Sequence, residues 1–306
     1  MRSFFALFFT SIVFVLYPSQ TVDLSLKLDD GKEYKQTTIS KSTITEDFQG
    51  QKINTVMTTG GTMSFLVKDI TENGYDMDVN FEQISMSMQQ PQGTVEFNSE
   101  KNDPNDMFSS IFRSIIGKPF HITMSKTGKV TDVKGIEVLW DSSIEKLLSH
   151  LSEMQKAQIR AQIAQAYGPK ALKGSIEMVT AIYPENPVNK GSKWKIDTSL
   201  ESGISINLST EYEFAEMSSD YALIKGNSTV KTNDKDAYVQ SNGMPLKYDL
   251  KGTMISDIKV DRNTGWIIEA KINQDIKGDA YIKENPQLPE GLKTPITVVN
   301  EMTVSN

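Results

Sequence analysis

Two histidines, 39 carboxylates and no cysteine are the stock from which this 306-residue chain can build a reactive or metal-holding site. A zinc site needs three or four ligands, and without cysteine or a His-x-x-x-His spacing only carboxylates are left to supply them. His121 alternates with Ile122 in a strand-like stretch and His150 stands beside Leu151 in a helical one, which reads as structural or solvent-facing. Asp76 and Asp78 fall on the wet face of a strand, and Asn233-Asp234-Lys235-Asp236 looks like a loop. Neither has the twelve-residue calcium pattern with its closing glutamate. Carboxylate pairs for glycoside hydrolysis can come from distant strands, and no spacing marks one. The chain has no Gly-x-Ser-x-Gly, no phosphate-binding glycine-lysine loop and no dinucleotide-binding glycine pattern. The expectation is a protein without catalytic, metal or cofactor-binding residues, hence not an enzyme.

The methionines are the more suggestive set. Seven of the fourteen, Met57, Met63, Met77, Met86, Met88, Met107 and Met124, fall within residues 57–124. Flexible thioethers fill irregular gaps, so core filling is one reading; an adaptable apolar cavity is the other. On the second, Met77, Met86 and Met88 line the cavity, and a helix carrying Phe108, Ile111, Phe112 and Ile115 serves as its lid or plug. Both readings give the same sequence.

The elements that would position these residues are mostly strands. Val22, Leu24, Leu26 and Leu28 alternate with polar residues, and Ile204, Ile206, Leu208, Tyr212 and Phe214 share one parity, the signature of an antiparallel sheet wet on one face. Asn73-Gly74, Thr127-Gly128 and Asn263-Thr264-Gly265 separate pairs of such runs and read as hairpin turns. Met77, Val79 and Phe81 are odd-numbered whereas Ile84, Met86 and Met88 are even, which predicts a bulge near Glu82 or Gln83. Asp103-Pro104 opens a short apolar helix closed by Gly117 and Pro119. Ser142-x-x-Glu145 and Ser152-x-x-Gln155 both fit the capping box, and Gly168-Pro169 interrupts the helical spacing. Tyrosines follow one turn in each β region, at Tyr75 and Tyr221, and Thr-Gly recurs at 127–128 and 264–265. A drifted internal duplication and ordinary turn chemistry both explain this.

Residues 1–20 read as a signal peptide: Arg2 supplies the positive end, and residues 4–17 are apolar apart from Thr10 and Ser11. As a helix this run reaches ~21 Å, short of the ~30 Å hydrocarbon core. The mature chain is expected to lack a membrane span and to be secreted or periplasmic. No cysteine follows the run to accept a lipid. The formal net charge of −7 is spread evenly, with no basic stripe along the chain, so no nucleic-acid partner is expected.

The string from Phe120 through Gly135 (FHITMSKTGKVTDVKG), then helices, then Tyr183-Pro184-Glu185-Asn186-Pro187 leading to Trp194, resembles an exported bacterial family classed as domain of unknown function 6263. The family's layout is loosely similar to periplasmic lipid and lipoprotein carriers, and the resemblance implies a curved sheet around helices. The expected fold is α+β: a large curved antiparallel sheet or open barrel, with central helices packed on its concave face. A single unit spans 21–306, with β regions at about 21–134 and 193–306 flanking helices at about 136–182. The expected role is non-catalytic binding of a lipid-like or other apolar ligand. The alternative is an envelope structural or assembly factor that contacts another envelope protein.

Overall fold

A computed structural model describes residues 21–306 apart from Pro104, Asn242, Gly243 and Gln287; the expected leader lies outside the described residues. The chain begins with β1 (Glu33–Phe48), β2 (Gln51–Thr71) and β3 (Gly74–Gln90), followed by a flap, β4 (Gly93–Asn98), and a helix, α1 (Met107–Ile115). Next come β5 (Phe120–Ser125) and β6 (Val130–Lys134), then α2 (Ile136–Leu147), α3 (Glu153–Tyr167) and α4 (Pro169–Thr180). The second half comprises β7 (Lys193–Ser202), β8 (Ile204–Met217), β9 (Tyr221–Thr232), a short β10 (Val239–Ser241), β11 (Met244–Asp261), β12 (Ile267–Ile282) and β13 (Leu292–Ser305).

All of these strands join one antiparallel sheet in the order β6-β5-β3-β2-β1-β13-β12-β11-β9-β8-β7, with β4 on β3 and β10 on β11. Its pairing does not close, and the edges left over, β6 and β7, are both covered by α4. On the β6 side the Glu177 carboxylate accepts the Val130 N–H at 2.9 Å and the Thr180 hydroxyl donates to the Gly128 carbonyl at 2.7 Å. On the β7 side the helix comes so close at Gly174 that a Cβ there would lie 2.8 Å from the Ser199 carbonyl oxygen. Across the interior, Met178 of α4 reaches Gln274 of β12, in the middle of the sheet. The α+β fold is therefore a curved open sheet with helices on its concave side, and its helix-covered edges are not free templates for another strand.

Side-chain parity makes one face a core. Tyr34, Phe65, Val79 and Phe120 are opposed in sequence across β1, β2, β3 and β5, and all are buried. Outward positions on the same sheet are charged or polar, as with Lys225, Asp257, Lys271 and Glu301. A lipid-embedded barrel needs the inverse, an outward apolar band. The bulge falls where the phase change predicts: Thr62 opposes Gln83 and Met63 opposes Phe81, leaving Glu82 as the extra residue.

Two local expectations change. The segment holding Val22, Leu24, Leu26 and Leu28 is extended but lies outside the sheet. It crosses one end of the fold, where the Leu26 N–H donates to Lys126 O, the Lys27 N–H donates to Thr264 O, and Tyr75 Oη donates to Leu26 O at 2.8 Å. Its alternation arises because one side faces the core, not because it pairs with a neighbouring strand. Ser142 caps nothing, since α2 starts six residues earlier and the hydroxyl donates to Val138 O within that helix. Ser152 does form its capping box with Gln155. Gly168 and Pro169 separate two helices, with proline at the first turn of α4.

The two halves repeat one plan. The Gly31 N–H donates to Val67 O and the Val67 N–H to Lys32 O; the Gly191 N–H donates to Phe214 O and the Phe214 N–H to Ser192 O. A bulge follows Val67 and another follows Phe214. The flap β4 interrupts the first half where β10 interrupts the second, and a bulge follows each Thr-Gly turn, with Thr131 and Ile268 as the extra residues. Backbone crosses closely over both turn glycines, Thr180 at Gly128 and Ser25 at Gly265. Shared irregularities of this kind favour duplication over coincidental turn chemistry.

Candidate functional site

The concave face has two zones. Toward the end crossed by the N-terminal segment it is filled: Trp266 packs against Tyr34 and Phe65, each at a centroid distance of 5.2 Å, and Phe112 meets Tyr167 at 5.5 Å. Toward the opposite end the inward positions on β1–β3 are only half-buried, whereas Leu250, Ala280, Thr294 and Ile296 on β11–β13 stay buried. Met57 directly opposes Met88 on one side and Ser42 on the other, while Ile44 opposes Val298. Tyr248 of β11 is half-buried on the same face, and burial raises its phenol above the usual range.

A hydrogen-bonded polar chain crosses this zone. Ser40 and Ser42 donate to Asn300 Oδ1 at 2.7 and 2.9 Å, Asn300 Nδ2 donates to Gln274 Oε1 at 3.1 Å, and Gln274 Nε2 lies 3.2 Å from Met254 Sδ. All its members are neutral. The zone thus offers adaptable thioether and aliphatic surface with a neutral polar belt, which suits binding an apolar molecule better than proton transfer.

The residues singled out for a cavity divide between the zones. Met77, Ile111 and Ile115 are fully buried and Phe112 nearly so, each surrounded by core. Met86 and Met88 continue the inward face beyond the bulge and stay half-buried. Phe108 is half-buried on α1 and stacks on Phe97 of β4 at 4.8 Å, which ties the flap to the helix. Sequence reasoning placed Met57 in its methionine set but missed Ile44, Val298 and Tyr248 as members of the half-buried face. Their alternation was visible, but their depth depends on how far the helices reach along the strands.

A second concavity, of about 630 Å³, lies outside along the seam between α4 and the β7–β9 face, lined in part by Lys129, Lys173, Glu177, Asp197, Asn207 and Lys231. Burial raises the Glu177 carboxyl above its ordinary 4.5, against the pull of Lys173 and the Val130 N–H. A carboxyl raised in the folded state adds stability below its unfolded value, and that stability is lost as pH rises through the folded one. Glu177→Gln keeps the acceptor for Val130 without the charge. It should melt above the parent at pH 7 and converge with it at pH 4, as read by circular dichroism.

His121 sits on the outer face between Asp76 and Asp78, 3.6 Å from an oxygen of each, and His150 is exposed between α2 and α3. Among the described residues no group of three or more His, Cys, Asp or Glu is arranged to hold a metal ion, and no helix is long and apolar enough to cross a membrane.

Solved structures similar to this chain include three that match over most of its length. "Lipid-protein interactions in lipovitellin" matches at TM-score 0.49 and 10% identity over 91% of this chain, which spans only 25% of the length of that one. Salmonella typhi OmpF in complex with daunomycin matches at TM-score 0.23 and 8% identity, over 91% of this chain and 99% of that one. The COG4313 outer membrane channel of Pseudomonas putida F1 matches at 0.21 and 7%, over 91% and 97%. Likenesses below a TM-score of 0.5 carry no argument about ligand or role. No curated protein sequence matches the chain. Residues 72–267, well over half of the sequence and running from the β2–β3 turn through β11, match one family throughout, and the chain belongs to that family of unknown function, DUF6263.

Proposed function

We propose that this is a non-catalytic binding protein, working after export, that holds a lipid-like or other apolar ligand on the half-buried zone of its concave face. The observation that carries this reading is the ladder of Ile44, Met57, Met86, Met88 and Val298, inward-facing and opposed across strands yet left incompletely covered by the helices. Apolar area left accessible in a concave face contributes about 25 cal/mol for each Å² that a ligand covers. The neutral belt from Ser42 to Gln274 sets a polar boundary at which a ligand's head or ester group can be oriented.

The alternative role, docking another envelope protein, calls for a contiguous apolar patch on the convex face. Its exposed large apolar residues are instead separated. Val299 lies between Thr43 and Asp275, and Ile255 lies between Asn227 and Asn273. This favours the interior site.

The test is native mass spectrometry of the chain expressed with its leader and purified from the envelope without detergent, with titration by a fluorescent acyl probe alongside. A copurifying lipid and saturable probe binding are expected. Repeated recovery of bare protein that leaves the probe dark would overturn the reading.

A further inference from the structure

We propose that the outer face of β9, β11 and β12, together with the seam groove, is a binding track for an anionic polysaccharide. The site is separate from the concave face and stands independently of the apolar-ligand reading.

The argument begins with register. Lys231 of β9 is directly opposite Lys251 of β11, which is directly opposite Lys277 of β12. All three are exposed. Neighbouring strands lie about 4.8 Å apart, so three ammonium groups are fixed along roughly 10 Å of one row. Like charges directly opposite on a sheet destabilise it. Several other lysines on the same face have partners, as in Lys259–Glu269, Lys271–Glu269 and Lys293–Asp279. The three in this row have none among the described residues. Asp249, Asp275 and Asp279 flank the row on the same face, yet none forms an ion pair with it, which leaves its three ammonium groups open to a charge brought from outside.

The row runs on into the groove. Lys231 opposes Asn207 of β8, and Asn207 opposes Ser199 of β7, so cation, amide and hydroxyl stand in one line. Beyond them the groove walls bring Lys129 and Lys173, likewise without an ion-pair partner among the described residues. Asp197 and Glu177 share the groove and supply acceptors for hydroxyl donors. Cations at strand spacing beside amides, hydroxyls and single carboxylates match an extended chain of sugars bearing carboxylate, sulfate or phosphate groups. Nucleic acid fits less well, because no aromatic ring lines the groove for base stacking. A bilayer also fits less well, since Leu208 is the one apolar residue in the lining and nothing there can insert. The acidic balance of the whole chain, net −7, means that attraction to a polyanion must be local to this face.

The experiment measures binding of the mature protein to polygalacturonate by affinity electrophoresis at low and high salt, with neutral dextran, a single-stranded oligonucleotide and phosphatidylglycerol vesicles as comparisons. The row variant K231Q/K251Q/K277Q is set against K225Q/K271Q/K293Q, which removes the same charge from paired lysines of the same face. Expected are salt-sensitive binding by the parent, a loss of about tenfold or more in the row variant, and a small loss in the control. The row variant should melt within a few degrees of the parent, because exposed lysines without ion-pair partners contribute little to stability. Absence of polygalacturonate binding, equal losses in both variants, or tighter binding to the oligonucleotide or vesicles would overturn the proposal. So would a melting temperature lowered by more than a few degrees in the row variant and in each single substitution, which would make the lysines structural.

Discussion

Gly128→Val should unlatch the sheet from the helix that covers its edges. Gly128 has φ of +81°, and a Cβ there would lie 1.8 Å from the Thr180 carbonyl oxygen at the end of α4. The left-handed conformation alone costs a side chain about 1–2 kcal/mol. The overlap adds to this because the obstacle is backbone, held by the Thr180 hydroxyl donating to Gly128 O at 2.7 Å. The turn and the end of α4 must therefore separate, loosening the seam on its β6 side and weakening cover of an unpaired strand. The expected result is a fall in melting temperature of about 10 °C or more, with thioflavin-positive aggregates at concentrations where the parent stays clear. Gly50→Ala is the control: its φ is +90° and no atom lies within 4 Å of an added Cβ, so it meets the conformational cost alone. Equal melting for Gly128→Val and Gly50→Ala would show that the latch contributes nothing.

That latch was not legible in the sequence, and the reason is general to this fold. Thr127-Gly128 announces a hairpin turn because turn chemistry is local, and the hairpin is there. Which backbone crosses over the turn depends on where a helix ends 52 residues later. Local signals held in the same way at Glu82, where a phase change in side-chain parity marks the bulge, and at Ser152, whose partner is three residues away. They misled at Ser142, where the capping pattern lies inside a helix already begun at Ile136. The Val22–Leu28 alternation recorded burial correctly but not pairing, because a segment wedged across turns shows the same period as a strand. The lysine row was invisible for a related reason. Lys231, Lys251 and Lys277 are 20 and 26 residues apart in the chain, and only the register of three strands makes them neighbours.

The candidate interior site was half legible: sequence parity named the inward residues but not their depth. Met77→Asp and Met88→Asp make that difference measurable. Met77 is fully buried, opposite Val67 and Ile122 in the packed zone. A carboxylate there has no partner and no water, and it should cost more than about 4 kcal/mol, enough to leave the chain unfolded or molten at neutral pH. Met88 lies beyond the bulge, opposite Met57 and Val95, and keeps contact with solvent. The same change there should cost about 1 kcal/mol or less in stability, because the new charge stays hydrated. Its effect should fall on the ligand, since an acyl chain laid along Met57 and Met88 would have to desolvate that carboxylate. Acyl-probe affinity should drop by a factor of ten or more while the circular dichroism spectrum is unchanged. If Met88→Asp unfolds the protein as Met77→Asp does, the upper zone is core and the apolar site is closed. If it folds and binds the probe as tightly as the parent, the ligand lies elsewhere. Loss of binding with retained fold would place the ligand against the methionines of the open zone and separate them, by depth alone, from those that fill the core.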